Sequence, residues 1–157
     1  MTMVSDNFNI ESWDYKRLSE IFDVARVNKS QEYPKDTILI QVSATNGQTL
    51  YLDKAQRVAD GSKYAALTVK EPDKYDAKYL YYILDEKMPD AVKRYASGMN
   101  LQMDVLASVK IPVHNDINTQ RTICRLLDFA EDQIRMEREI VDILKKHKQE
   151  YSAMLLC

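Results

Sequence analysis

Residues 118–155 read NTQRTICRLLDFAEDQIRMEREIVDILKKHKQEYSAML. Apolar side chains fall there on an alternating 4-3 series: Ile123, Leu127, Ala130, Ile134, Val141, Leu144, Tyr151 and Leu155. Only Glu137 and Lys148 interrupt it. That spacing is a heptad seam over about five repeats, the mark of a helix that pairs with another helix. Leu126, Phe129, Met136, Ile140 and Ile143 widen the apolar face beyond the needs of a two-stranded seam. More than one neighbour is therefore expected. A helix of ~37 residues rising ~1.5 Å each makes a rod of ~55 Å. A domain built from the rest of the chain would be only ~30 Å across. The alternative, a helix folded back along its own domain, would leave much of the seam uncovered.

The preceding residues have a different character. Of fourteen aromatic residues in the 157-residue chain, only Phe129 and Tyr151 lie beyond Asp116. The expected fold is α+β: a small mixed domain over residues 1–116, then a long C-terminal helix within 117–157. Residues 37–43, TILIQVS, form the clearest strand, with Ile38, Ile40 and Val42 on one face. Asn46-Gly47 favours a hairpin turn, and residues 48–52 return. Residues 64–69 and 110–113 read as further strands. Residues 13–27 are ambiguous between strand and helical turn. Asp76 is a natural N-cap for a helix through Lys87, with Ala77, Leu80, Tyr81 and Leu84 as its buried stripe. Pro89 is expected to end that helix, and residues 90–96 to form a second short one stopped by Gly98.

Composition excludes several function classes. No apolar run approaches the ~20 residues that cross a bilayer, and Met1–Glu11 lacks a signal-peptide pattern. Cys124 and Cys157 suggest no disulfide framework and fit a reducing cytoplasm. With three glycines there is no phosphate-cradling loop or dinucleotide fingerprint. His114 and His147 lie far apart, and no Cys/His cluster has metal spacing. Asp73 followed by Asp85-Glu86-Lys87 resembles the acidic-acidic-lysine set of a common nuclease fold. That chemistry needs the second acid and the lysine on a strand beside a metal, whereas here both fall at the end of an expected helix. A non-catalytic chain without cofactor or metal is therefore expected.

Binding signals are softer. Net charge is −2, with no basic excess in either part of the chain. A nucleic-acid role thus needs locally clustered charge, or partners that supply phosphate contacts. Lys54, Arg57 and Lys63 follow the Asn46-Gly47 turn, and Tyr64 is adjacent. Lys29, Asn46, Gln48, Asn100 and Gln102 sit near expected loops. Amide side chains can read adenine, and Lys or Arg can read guanine or hold phosphate. For each such residue singly, a solvent-exposed surface role is the better reading.

Three segments carry a family resemblance. Residues 13–22, WDYKRLSEIF, resemble the opening of a recognition domain in the specificity subunits of type I restriction–modification systems. Residues 97–113, SGMNLQMDVLASVKIPV, resemble its close, where a small-residue turn precedes a short helix and an Ile-Pro strand. Residues 118–123, NTQRTI, resemble the start of the spacer helix, with Thr119 where the family usually has Glu. Such subunits carry two recognition domains and two antiparallel helices, and each domain reads one half of a bipartite DNA target. The resemblance implies half of that arrangement here, completed by a homodimer whose helices form an antiparallel coiled coil. It further implies a palindromic, gapped target on double-stranded DNA. Adenine methylation would be performed by partner methyltransferase subunits, and a motor-nuclease subunit could join them. The other reading is an interaction protein that docks on methyltransferase or specificity subunits without reading DNA.

Overall fold

The computed structural model describes residues 13–156. Met1–Glu11, read above for a signal peptide, and Cys157 lie outside the described residues. In chain order the elements are β1 (Trp13–Arg17), α1 (Leu18–Ile21), β2 (Phe22–Arg26), β3 (Glu32–Tyr33), β4 (Ile38–Gln41), β5 (Thr49–Tyr51) and β6 (Gln56–Arg57). A 3-10 turn (Gly61–Lys63), β7 (Tyr64–Val69), α2 (Ala77–Tyr95), α3 (Met103–Ser108), β8 (Lys110–His114) and α4 (Ile117–Leu155) follow. The chain divides into two units, residues 1–121 and 122–157. Among the described residues the first holds every strand, and the second is the greater part of α4.

The centre of the first unit is an antiparallel sheet in the order β2-β7-β4-β5. Alternation along β4 sets its two faces. Ile38 and Ile40 share one face with Leu67 and Ala65 of β7, and all four are fully buried. α2 lies over that face: Thr49 Oγ1 donates to Asp85 Oδ1 at 2.6 Å, and the Tyr51 and Tyr81 rings are 5.6 Å apart. Leu39 and Ala66 point the other way. They are covered by a ribbon of β3 paired with β6, whose Tyr33 joins Val27, Leu39, Leu52 and Ala66 in one cluster. The sequence pattern showed a single buried face; the structure buries both.

Two further expectations change. α2 runs unbroken through Pro89 to Tyr95, so residues 90–96 do not form a separate helix. Pro89 removes one backbone donor, and Gly47 of the β4–β5 connection packs against the backbone at that position. Gly98 lies beyond the helix end, in a tight turn closed by reciprocal backbone bonds between Ser97 and Asn100. The ambiguous segment 13–27 is strand, one helical turn and strand. Leu18 and Ile21 bury the turn, while β1 pairs with β8 and β2 with β7.

A buried polar group closes the unit where its ends meet. β1 and β8 bring Trp13 onto the His114 ring, with centroids 3.7 Å apart. The Tyr79 hydroxyl accepts the His114 backbone N–H at 3.1 Å and lies 2.7 Å from its Nδ1. Gln120, fully buried in the first turn of α4, donates to the carbonyls of His114 and Lys74 and accepts from Asp76 N–H. Burial pushes Tyr79 up, an effect partly offset by the His114 backbone bond, and pulls His114 below the usual imidazole value.

His114 therefore takes up a proton less readily when folded than when unfolded. Its contribution is full above the ordinary value of 6.5. It is lost as pH falls through that value, levelling once the folded imidazole protonates. Melting temperatures at about pH 7.5 and about pH 5.5 should show this loss, and His114→Phe should flatten the difference. An equal slope in the variant would place the effect elsewhere.

Candidate nucleic-acid interface

Antiparallel pairing places the end of β2, the start of β7, the end of β4 and the start of β5 at one edge of the sheet. Residues 27–31, 42–48 and 58–63 connect there. Backbone bonds tie them together: Val27 N–H reaches the Tyr64 carbonyl, and Val42 and Ser43 both donate to Lys63. The 97–101 segment joins them, since Thr45 donates to the Met99 carbonyl and Leu101 to that of Val42. Polar side chains shape each loop. Asn28 Oδ1 accepts from Ser30, Asn46 Oδ1 from Gln48 N–H, and Asn100 Oδ1 from Ala44 N–H. The last bond holds Ala44 in the left-handed region, at φ +48°.

Six of the nine residues singled out from sequence meet at this edge: Lys29, Asn46, Gln48, Lys63, Tyr64 and Asn100. All but Tyr64 are exposed; Tyr64 is half-buried against the Tyr33 cluster. Gln102 follows on the same segment, exposed at the N-cap of α3. The oxygens of Asn46 and Asn100 are engaged by the loop backbone, which leaves their NH2 groups as outward donors. Lys54 and Arg57 lie apart from this group. Lys54 follows β5 at the Ile38–Tyr51 end of the sheet, and Arg57 stands on the ribbon opposite Glu32. The apparent Lys54–Arg57–Lys63 cluster is thus divided.

Arg26 was missed by sequence reasoning. It ends β2, is exposed, and donates to the Ser62 carbonyl at 3.0 Å. With Lys29 and Lys63 it gives the loops three cations against one carboxylate, Asp60, which lies 3.4 Å from Lys63. The charge balance at this edge is therefore positive although the whole chain is not. A second missed feature is a groove of about 520 Å³ lined by Tyr15, Lys87, Arg94, Tyr95, Lys110 and Pro112. Its cations come from α2 and β8, too distant in sequence to form a motif. Asp85, Glu86 and Lys87 all lie on α2. Among the described residues no group of three or more His, Cys, Asp or Glu could hold a metal ion, and no helix is long and apolar enough to cross a membrane.

On α4 the seam residues Leu127, Ala130, Ile134, Val141, Leu144, Tyr151 and Leu155 are exposed, and Ile123 is half-buried. Leu126, Phe129, Met136, Ile140 and Ile143 are exposed too.

Residues 26–146 match the family described as the type I restriction modification DNA specificity domain. The chain belongs to that family. A curated relative from Mycoplasma pneumoniae, named a type I specificity subunit, is 29% identical over 124 residues, which span 77% of this chain and 32% of the relative. The fold matches the type I S subunit of M. genitalium with a TM-score of 0.70 at 19% identity, over 96% of this chain and 46% of that one. It matches the HsdS subunit of Thermoanaerobacter tengcongensis with a TM-score of 0.62 at 20% identity, over 80% and 39%. The chain thus spans less than half the length of these relatives.

Within this specificity-domain fold, the 42–48 loop depends on Gly47. It sits at φ +89°, and a Cβ there would lie 2.5 Å from the Pro89 nitrogen. Gly47→Ala should cost about 2–4 kcal/mol, from left-handed strain plus the forced shift of α2. Chemical denaturation would check it, and a loss below about 0.5 kcal/mol would show that the loop yields freely.

Proposed function

We propose that this chain is a DNA-recognition subunit of a type I restriction–modification complex. In this reading residues 1–116 read DNA and residues 117–157 are the spacer and pairing helix. The observation that carries it is the joining of a specificity-domain fold to a 39-residue helix whose heptad seam is exposed. Two copies, paired through α4, present two identical recognition units. Two-fold symmetry then dictates a palindromic target with an unread gap.

The loop edge would meet the duplex. Arg26, Lys29 and Lys63 hold phosphates, and the amides of Asn46, Gln48, Asn100 and Gln102 approach base edges. Lys54, Arg57 and Tyr64 would contribute at the margin. Partner methyltransferase subunits, docked on the broad apolar face of α4, perform the adenine methylation, and a motor-nuclease subunit can join. The subunit itself supplies neither catalytic group nor cofactor, and it works in the cytoplasm.

Co-expression with a type I methyltransferase subunit from the same organism, followed by methylome sequencing, should reveal a gapped palindromic motif that depends on this chain. Lys63→Ala should weaken DNA binding on all sequences alike and lower the salt dependence. A stable complex without such a motif would overturn DNA reading and favour the docking role.

The pairing helix has its own test. Ile134→Asp with Val141→Asp places two charges in the seam and should yield a monomer or an insoluble chain. A soluble dimer of unchanged size would place the interface elsewhere.

A further inference from the structure

We infer that, in the antiparallel pair of α4 helices, the two-fold axis lies beside Glu139, so that Ile134 of each helix packs on Leu144 of the other. This rests on the homodimer reading above, with the antiparallel direction that the family resemblance implies, and adds the register of the pairing. The two charged residues that interrupt the seam decide it.

In a parallel, in-register pair each seam residue meets its own copy. Glu137 would then face Glu137, and Lys148 would face Lys148, inside the interface. Both layers set like charges together where solvent is excluded, which is costly. An antiparallel pair instead sets each residue of the 4-3 series against a different one. With the axis beside Glu139, every position of the series has a partner, from Ile123 against Leu155 inward.

Both interruptions then find a suitable environment. Glu137 lies opposite Val141 and beside Arg138 of the second copy. Lys148 lies opposite Ala130, whose small side chain leaves room for the lysine stem, and beside Glu131, which can meet its ammonium. On one flank Glu131 meets Lys145 at two symmetric places, while Arg138 meets its own copy on the axis, where Glu137 of the second copy lies beside each guanidinium. The other flank brings Ile140 against its own copy. These flanking residues lie on the exposed surface of α4.

Sliding the helices by one heptad is worse in either direction, because seam residues at both ends lose their partners. One of these slides sets Glu137 against Lys148 but buries two ion pairs. It also replaces the two Glu131–Lys145 pairs with two Arg138–Lys145 pairs, cation against cation. Desolvation makes such a core less favourable than apolar layers.

Cross-linking of the full chain, with Cys124→Ser and Cys157→Ser as background, tests the register. A short bis-methanethiosulfonate linker should join copies of the double variant Ile134→Cys with Leu144→Cys into a covalent dimer. Neither single variant should cross-link. Glu131→Cys with Lys145→Cys repeats the test outside the apolar seam, where folding is not at risk. Cross-linking of Ile134→Cys alone would show parallel helices and overturn the proposal. Preferential cross-linking of Val141→Cys with Leu144→Cys would show the heptad-shifted register and overturn it as well. Sedimentation of each variant separates this failure from the other one. A dimer with the wrong cross-links sinks the register and leaves the homodimer standing, whereas a monomer sinks both.

Discussion

Gln120 is a buried amide on which three elements of the first unit converge. Its side chain is fully inaccessible and is shared among Asp76 N–H and the carbonyls of Lys74 and His114. Those groups belong to the cap of α2, the loop before it and the end of β8. A buried backbone carbonyl or amide without a partner costs on the order of 1–3 kcal/mol. The His114 carbonyl is such a group, and the part-buried Lys74 carbonyl and Asp76 N–H converge with it because α2, β8 and α4 all begin or end at this place. One amide satisfies them all, and Tyr79 and His114 complete the arrangement beneath Trp13. Among the described side chains, no buried polar atom is left without a bond.

The elements that could be read from sequence were those whose pattern is local. β4 with its alternating isoleucines, the Asp76 cap and the heptads of α4 all stand where periodicity put them. Asp76 Oδ1 accepts from Tyr79 N–H as an N-cap should. The small-residue turn, short helix and Ile-Pro strand of the 97–113 segment are present as well. What failed was long-range. Pro89 looked like a helix end because its missing donor is usually costly. Here Gly47 approaches that same turn of the helix, an event forty residues away that no window of sequence contains. The β3–β6 ribbon was invisible because two-residue strands have no period to detect.

The candidate site shows the same division. Residue types were legible, since amides and cations near turns are visible at once. Their grouping was not. Lys54 and Lys63 look adjacent in sequence, yet they lie toward opposite ends of the sheet. Arg26 looks like an ordinary strand residue until β7 brings Ser62 beside it. Net charge hides the local balance for a similar reason. Most carboxylates are spread over other parts of the unit, while the loop edge keeps three cations against one acid. Phosphate binding responds to that local field within about 8 Å at physiological salt, not to the sum over the chain.

That modest local charge and the long helix fit one argument. A few phosphate contacts give weak, salt-sensitive binding, because each releases only its own counterions. Linking two such units makes the second encounter intramolecular, with avidity far above either affinity, provided the linker is stiff and of the right length. A helix of 39 residues spans about 58 Å and is stiff where a second helix covers it. Its uncovered seam would be a liability in a chain meant to act alone, since exposed apolar strips of this extent drive association. In the proposed dimer the same strip is what brings two weak readers onto one duplex. The recognition unit can then stay sparsely charged, so that discrimination rests on the amides at the loop edge more than on phosphate attraction that is indifferent to sequence.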